Sequence, residues 1–283
     1  LSPESLTQIK DLDAYLRLGI DRLFSMQTAG GGLAAWPGGN EPYPYGSIYA
    51  LHFLTLVHAR RDLPLPVEGM ELLRRYVLSL ARDASDDSPS AVYQRAYAVY
   101  VLALSGDIEA VRMIERFDAL DAPEPARYLL AAALAINTRD ADRVKTYLAR
   151  NPGRSHQVRE MDGTLNSQVR NDAVKLLALI QINAAAGEMA AQADHVLRRI
   201  ESRSYLGTTH EYAFAAAALA QYLDRTGLNA DQAAATITAA DGTTRTLRGR
   251  AVFKTAHPGP GGVWTITNTG PVDLYVNCVT RGV

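Results

Sequence analysis

The chain has 283 residues, 47% of them hydrophobic and 21% charged, enough apolar material for one large buried core and a smaller annex. Its 29 basic and 30 acidic residues give a formal net charge of -1 with no basic run longer than two, which removes nucleic acid and anionic membrane surfaces from the candidate partners. A single cysteine, Cys278, excludes an internal disulfide and any multi-cysteine metal site.

Up to about Leu228 the apolar residues recur with a helical period. In the first predicted helix Ser2 caps, Pro3 fits the first turn, and Leu6, Ile9, Leu12, Leu16, Ile20 and Leu23 form one face ending near Gln27. A second helix is expected to start with Ser47 as N-cap and to present Leu51, Leu54 and Val57 inward. A third begins near Pro66 with Met70, Leu73, Val77 and Leu80 on its apolar face, and a fourth at Ser88-Pro89 with Val92, Ala96, Val99 and Leu102. Gly106 stops the fourth, and Asp107 caps a short helix reaching 120. Pro123 and Pro125 open the next, patterned over 128–136, and further helical patterns cover 140–149, 166–186 and 189–200. The last starts at Thr208, where Thr208-Thr-His-Glu211 reads as a capping box before the apolar run 212–223.

These ten segments are joined by short links, which favour antiparallel neighbours and make helical hairpins the building unit. No fixed repeat register of the solenoid kind runs through them. The segment Gln27-Thr-Ala-Gly-Gly-Gly-Leu-Ala-Ala-Trp36 supplies a tight reversal, and Trp36 is expected to be buried there as a brace between hairpins. The predicted fold class is therefore mainly α, an α/α toroid spanning 1–227, with a small β-strand segment over 228–283. In that tail the period becomes two. Strands are expected at 236–238 and 243–247 around the Asp241-Gly242 turn, at 263–268, and at 274–279. So few strands form half of a β-domain completed elsewhere, or a layer on the helices.

Chemical candidates are sparse. His52 and His58 share one helix six residues apart, His156 and Glu160 make a single pair at helical spacing, and His210 sits beside Glu211 in a first turn. None of these reaches the ligand number a metal site needs, and structural or surface roles are the simpler readings. Asp83, Asp86 and Asp87 resemble a magnesium cluster in letters, but they fall between two helices, where capping aspartates belong. Trp36, Tyr43, Tyr45 and Tyr49 read as loop packing before they read as a sugar platform, and Cys278 alternates like a packed strand residue. No nucleophile elbow, phosphate loop or dinucleotide fingerprint occurs, and nothing calls for a cofactor.

A set of short elements carries a family resemblance. Met26-Gln27, Gly31-Gly32-Leu33, Trp36-Pro37-Gly38-Gly39, Tyr45-Gly46-Ser47-Ile48-Tyr49-Ala50 and, in order downstream, Gly207-Thr208-Thr209-His210-Glu211-Tyr212-Ala213 resemble the thioester-domain region of bacterial α2-macroglobulins. The resemblance covers the helical part, and the β-tail is similar to part of the CUB-like domain that follows. It implies a non-catalytic piece of a protease-trapping protein, an endopeptidase inhibitor of the cell envelope, periplasmic or secreted. Its partners would be attacking proteases and the other domains of the parent, and any membrane anchoring would run through a lipid site of that parent. The structural motif it carries over is Gly31, Gly32, Trp36, Gly38, Gly39, Tyr45, Gly46, Ser47, Tyr49, Thr208 and Glu211.

In that family a cysteine and a glutamine three residues on condense to an internal thioester. Ser47-Ile48-Tyr49-Ala50 supplies neither. The surrounding segment is similar to the element downstream of the reactive motif, so the reactive position is expected before Leu1. The chain starts there without a methionine, as an excised or processed piece of a longer protein would. The alternatives are an α/α-toroid enzyme, terpene cyclase-like or glycan-degrading, which needs acidic residues around a deep axial cavity, and a helical scaffold that binds proteins.

Overall fold

The computed structural model describes residues 11–60, 63–151, 165–202, 207–227, 232–239, 242–249, 263–272 and 274. Two compact units divide the chain, Leu1–Leu219 and Ala220–Val283.

Nine α-helices lie among the described residues: α1 (Leu12–Phe24), α2 (Pro44–Arg60), α3 (Val67–Arg82), α4 (Pro89–Leu104), α5 (Glu124–Thr138), α6 (Ala141–Arg150), α7 (Gln168–Gln181), α8 (Ala186–Glu201) and α9 (Thr209–Thr226). A 3-10 segment, Ile108–Phe117, joins α4 to α5. Its buried residues Ala110, Met113, Ile114 and Phe117 keep the spacing that suggests a helix, while Asp107 accepts the Glu109 N–H at 2.9 Å to start it.

Local chemistry explains most boundaries. Ser88 caps α4 through Ala91 N–H at 3.4 Å, Asp140 caps α6 through Arg143 N–H at 2.9 Å, and Ser167 caps α7 through Arg170 N–H at 3.2 Å. Gly106 ends α4 at φ 85°, a left-handed conformation that costs glycine nothing. Asp11 caps α1 through Ala14 N–H at 2.9 Å, and that helix stops at Phe24, three residues before the expected end. The predicted start at Ser2, with Leu6 and Ile9, lies outside the described residues.

One boundary corrects the sequence reading. Ser47 is not the N-cap of α2. The helix begins at Pro44, whose missing N–H is no loss at a first helical position, and Ser47 N–H donates to the Tyr43 carbonyl at 2.9 Å, a full turn inside. Ser47 is fully buried.

Burial sorts the helices of the first unit into two layers. In α4 every residue from Tyr97 to Leu102 has 0% exposure, and α5 and α7 are buried almost as completely. By contrast α3 buries only the stripe Leu73, Val77 and Ala81, α6 only Val144 and Tyr147, and α8 only Met189, Ala193 and Val196. The inner helices follow one another in space, α2 on α4, α4 on α5 and α5 on α7, and each has its sequence neighbour outside it: α3 against α2 and α4, α6 against α5, α8 against α7. The ring closes where α9 meets α2, with Tyr49 and Phe214 stacked at 5.5 Å. This is an α/α toroid. Its inner leucines, such as Leu102, Leu130 and Leu176, have no exposed surface, and truncating residues of this kind to alanine costs about 2–5 kcal/mol each.

In the second unit three antiparallel strands, β1 (Ala234–Thr238), β2 (Thr244–Arg248) and β3 (Thr265–Asn268), form a sheet in the order β2-β1-β3. Thr238 faces Thr244 across the β1–β2 turn, where Gly242 adopts φ 82°. The buried residues of β1 are Ala235 and Ile237. The predicted strand 274–279 and Cys278 fall outside the described residues, apart from Leu274 itself.

Candidate functional site at the toroid centre

The N-terminal ends of α2, α4, α7 and α9 bring together Tyr45, Tyr93, Arg170 and His210. Arg170 is the largest fully buried side chain among the described residues, at 2% exposure. Its guanidinium lies 3.9 Å from the centre of the Tyr93 ring and donates to Asn166 Oδ1 at 2.7 Å and Asn171 Oδ1 at 2.8 Å. Neutral amide oxygens and an aromatic face thus stabilise a cation in a dry setting.

Around it the aromatic rings interlock. Tyr97 packs on Tyr45 at 5.8 Å, on Tyr93 at 6.1 Å and on Phe214 at 6.0 Å, and its hydroxyl bonds to His52 Nδ1 at 2.8 Å. Tyr45 Oη bonds to His210 Nε2 at 2.9 Å, and His210 packs on Phe214 at 4.9 Å. Burial raises the hydroxyl pKa of Tyr45 and Tyr97 well above the usual tyrosine value, with the Arg170 guanidinium working the other way on Tyr45. Burial also pulls His52 down to about 4, and burial followed by the Arg170 charge pulls His210 down to about 4 against the Glu211 carboxylate. These hydroxyls and imidazoles are neutral near pH 7.

The glycine segment is anchored onto this centre. Ser47 Oγ accepts the Leu33 N–H at 2.9 Å and donates to the Tyr43 carbonyl at 2.9 Å, and the Tyr43 N–H donates to the Leu33 carbonyl at 2.7 Å. Gly31 adopts φ 88°, and a Cβ there would stand 2.4 Å from the Leu72 carbonyl oxygen of α3. Gly32 lies against the Tyr76 ring, Gly39 against Ala34, and Gly46 against the Tyr43 ring, while Gly38 turns the chain in open space at φ 78°. Thr208 and Glu211 share reciprocal bonds: Thr208 N–H and hydroxyl donate to Glu211 Oε2 at 2.8 and 3.3 Å, and Glu211 N–H donates to Thr208 Oγ1 at 3.2 Å.

Trp36 requires a correction. It is 70% exposed, so the indole is not the buried brace expected from its place after the glycines. The bracing is done by backbone: bridges pair Gln27 with Leu33 and Ala34 with Pro42, and Gln27 Nε2 donates to the Gly31 and Gly69 carbonyls at 3.0 and 2.8 Å. Tyr43 and Tyr49 are half-buried and Tyr45 is buried, so these four aromatic residues do not form one exposed platform.

The remaining candidates are local. Bonds from the Ser85 side chain and N–H hold the Asp83 carboxyl below the usual range, bonds from the Ser88 N–H and hydroxyl do the same for Asp86, and Asp87 pairs with Arg95 at 2.7 Å. His58 is exposed at the end of α2, and His156 with Glu160 lies outside the described residues. No group of three His, Cys, Asp or Glu side chains able to hold a metal occurs among the described residues. A groove of about 480 Å³ runs between α5, α7 and α8, lined by Glu124, Tyr128, Asp172, Lys175, Glu188 and His195. Arg170, Tyr93, Tyr97 and Tyr100 were not singled out from sequence. The tyrosines at 93, 97 and 100 do carry helical spacing, but Arg170 carries no local signal at all.

No sequence-family model matches the chain, and neither does any curated protein. Solved structures do. The chain is similar to native α2-macroglobulin from Escherichia coli, spanning domain MG7 to the C-terminus, with a TM-score of 0.67 and 18% identity over 90% of this chain and 39% of that one. It is likewise similar to Salmonella α2-macroglobulin reacted with methylamine, at 0.67 and 19% over 91% of this chain and 17% of that one. A third likeness is to E. coli α2-macroglobulin activated by porcine elastase, at 0.63 and 18% over 90% and 22%. The chain therefore has the fold of a segment of bacterial α2-macroglobulins and spans between about a sixth and two fifths of the lengths it matches. Among the described residues no helix is long and apolar enough to cross a membrane.

Proposed function

We propose that the chain is the thioester-type toroid, with part of a CUB-like β-domain, of a protease-trapping protein of the α2-macroglobulin kind, and that it works without catalysis. The carrying observation is the filled toroid centre. Tyr45, Tyr97, Tyr100 and Phe214 are packed and buried among the inner helices, where a toroid enzyme needs an acid-lined cavity, and among the described residues the cluster around Arg170 and His210 holds a single carboxylate, Glu211, already engaged in a cap. The partners are attacking proteases and the other domains of the parent, in the periplasm or outside the cell.

The same geometry supports a new placement of the reactive position. Tyr43-Pro44-Tyr45-Gly46 opens α2 at the toroid centre, and Ser47 and Ala50 are 0% and 5% exposed. Three residues apart on a helix, their side chains lie on one face, with Cβ atoms about 5–6 Å apart. A cysteine and a glutamine at these positions could condense with loss of ammonia. This moves the position expected before Leu1 into α2, where a hydroxyl and a methyl replace thiol and carboxamide.

Intact-mass measurement of the wild-type chain with methylamine is expected to show no adduct. The double variant Ser47→Cys, Ala50→Gln is expected to lose ammonia on folding and then to take up methylamine with release of a thiol. A folded double variant that keeps its full mass would count against the thioester-type placement.

A further inference from the structure

Two histidines, His52 and His210, stand against Phe214 where α9 meets α2 and α4. His210, in the first turn of α9, bonds through Nε2 to Tyr45 Oη and packs on Tyr49 at 5.3 Å, while its Nδ1 is buried without a hydrogen-bond partner. His52, at 4% exposure on α2, bonds through Nδ1 to Tyr97 Oη, meets Tyr97 and Tyr100 edge-on at 5.7 Å each, and has an equally unpartnered Nε2.

Charging either ring creates a new N–H donor at an atom with no acceptor, in a place closed to water. The titratable and charged groups facing them are Tyr45 and Tyr49 from α2, Tyr97 and Tyr100 from α4, Arg170 from α7 and Glu211 from α9. The tyrosines are neutral. Arg170 is a cation and opposes any further positive charge. Glu211 is the one carboxylate of the set, and its Oε2 is bound by Thr208.

We propose that His52 and His210 form an acid-sensitive latch, in which protonation releases the start of α9, from His210 to Phe214, from α2 and α4 and opens the toroid over Tyr45 and Tyr49. The inference is independent of the protease-trap reading, since it needs only the ring and its closure. It also gives that reading a consequence, because the released turn covers the residues flanking Ser47.

The sign follows from linkage. Both rings are held down to about 4, below the ordinary histidine value near 6.5, so the unfolded chain binds more protons between those limits. The stability they confer is complete above about pH 6.5 and is lost as pH falls toward 4. At pH 4.5 a fully buried histidine of this kind raises the unfolding constant roughly fifty- to a hundredfold, and the half-buried His210 less.

The test is urea unfolding of the full chain at pH 7.5 and 4.5, for the wild type and for His52→Phe, His210→Gln and the double variant. Each single variant is expected to remove part of the acid-induced rise in the unfolding constant, and the double variant most of it. Proton NMR of the wild type supplies a reading that needs no variant: both imidazoles should stay unprotonated down to about pH 5, and amide exchange at 209–212 should accelerate once they titrate, before the rest of α9. A wild type equally stable at both pH values, a double variant with undiminished acid sensitivity, or either imidazole titrating near 6.5 overturns the latch.

Discussion

At the scale of single residues, the segment between α1 and α2 shows that glycines and not the tryptophan hold the hairpins together. Gly31 packs against a carbonyl of α3 where a methyl group has no room, and its φ of 88° disfavours any side chain. Trp36, five residues on, is 70% exposed. Gly31→Ala is therefore expected to lower stability by about 1–3 kcal/mol, through backbone strain and displacement of Leu72, whereas Trp36→Ala should stay within about 0.5 kcal/mol of the wild type. Urea midpoints of the two variants measured side by side decide this, and the reverse order would restore the indole as a brace. Sequence made the glycine reversal legible because φ and close approach are local properties. Exposure of Trp36 was not legible, since it depends on what α3 places against the loop.

At the scale of elements, caps and periodicity were readable and depth was not. Ser88, Asp107 and the Thr208 to Glu211 pair announce helix starts because a side-chain oxygen and an orphan N–H sit within four residues of each other. Replacing Thr208 by alanine removes the oxygen that receives the Glu211 N–H, and is expected to cost about 1 kcal/mol. Thr208→Ser should retain most of it, and thermal unfolding of the pair checks the expectation. A loss several times larger would mean that Glu211, only 4% exposed, depends on Thr208 for more than a cap. Ser47 illustrates the limit. Serine after Tyr-Pro-Tyr-Gly has the look of an N-cap, yet Pro44 starts the helix earlier and turns the hydroxyl inward onto Leu33 and Tyr43. The inner helices α4, α5 and α7 are apolar on nearly all sides, so their period identified them as helices without saying that they form the inner layer.

For the whole toroid, the decisive group is one that sequence did not distinguish. Arg170 belongs to α7, stacks on Tyr93 of α4, and counters the burial of the Tyr45 hydroxyl of α2, so three inner helices meet at one guanidinium. Nothing in Ser167-Gln-Val-Arg170 separates it from a solvated arginine, because the tyrosines that bury it, Tyr93 and Tyr45, lie more than seventy residues away in the chain. Its removal leaves Asn166 and Asn171 oxygens and the Tyr93 face without their donor, in a core with little water. Arg170→Ala adds a cavity to that loss and is expected to cost about 3–5 kcal/mol, while Arg170→Met, which refills the space with an apolar chain, should cost distinctly less. The urea slope carries the whole-molecule information. If the guanidinium merely adds stability, both variants shift the midpoint at constant slope; if it holds the ring closed, Arg170→Ala also lowers the slope, because a native state with a loosened centre exposes less new surface on unfolding. We expect the lower slope, since the residues that close the ring, His210 and Phe214 of α9, pack onto the same Tyr45 and Tyr97 that Arg170 and Tyr93 support.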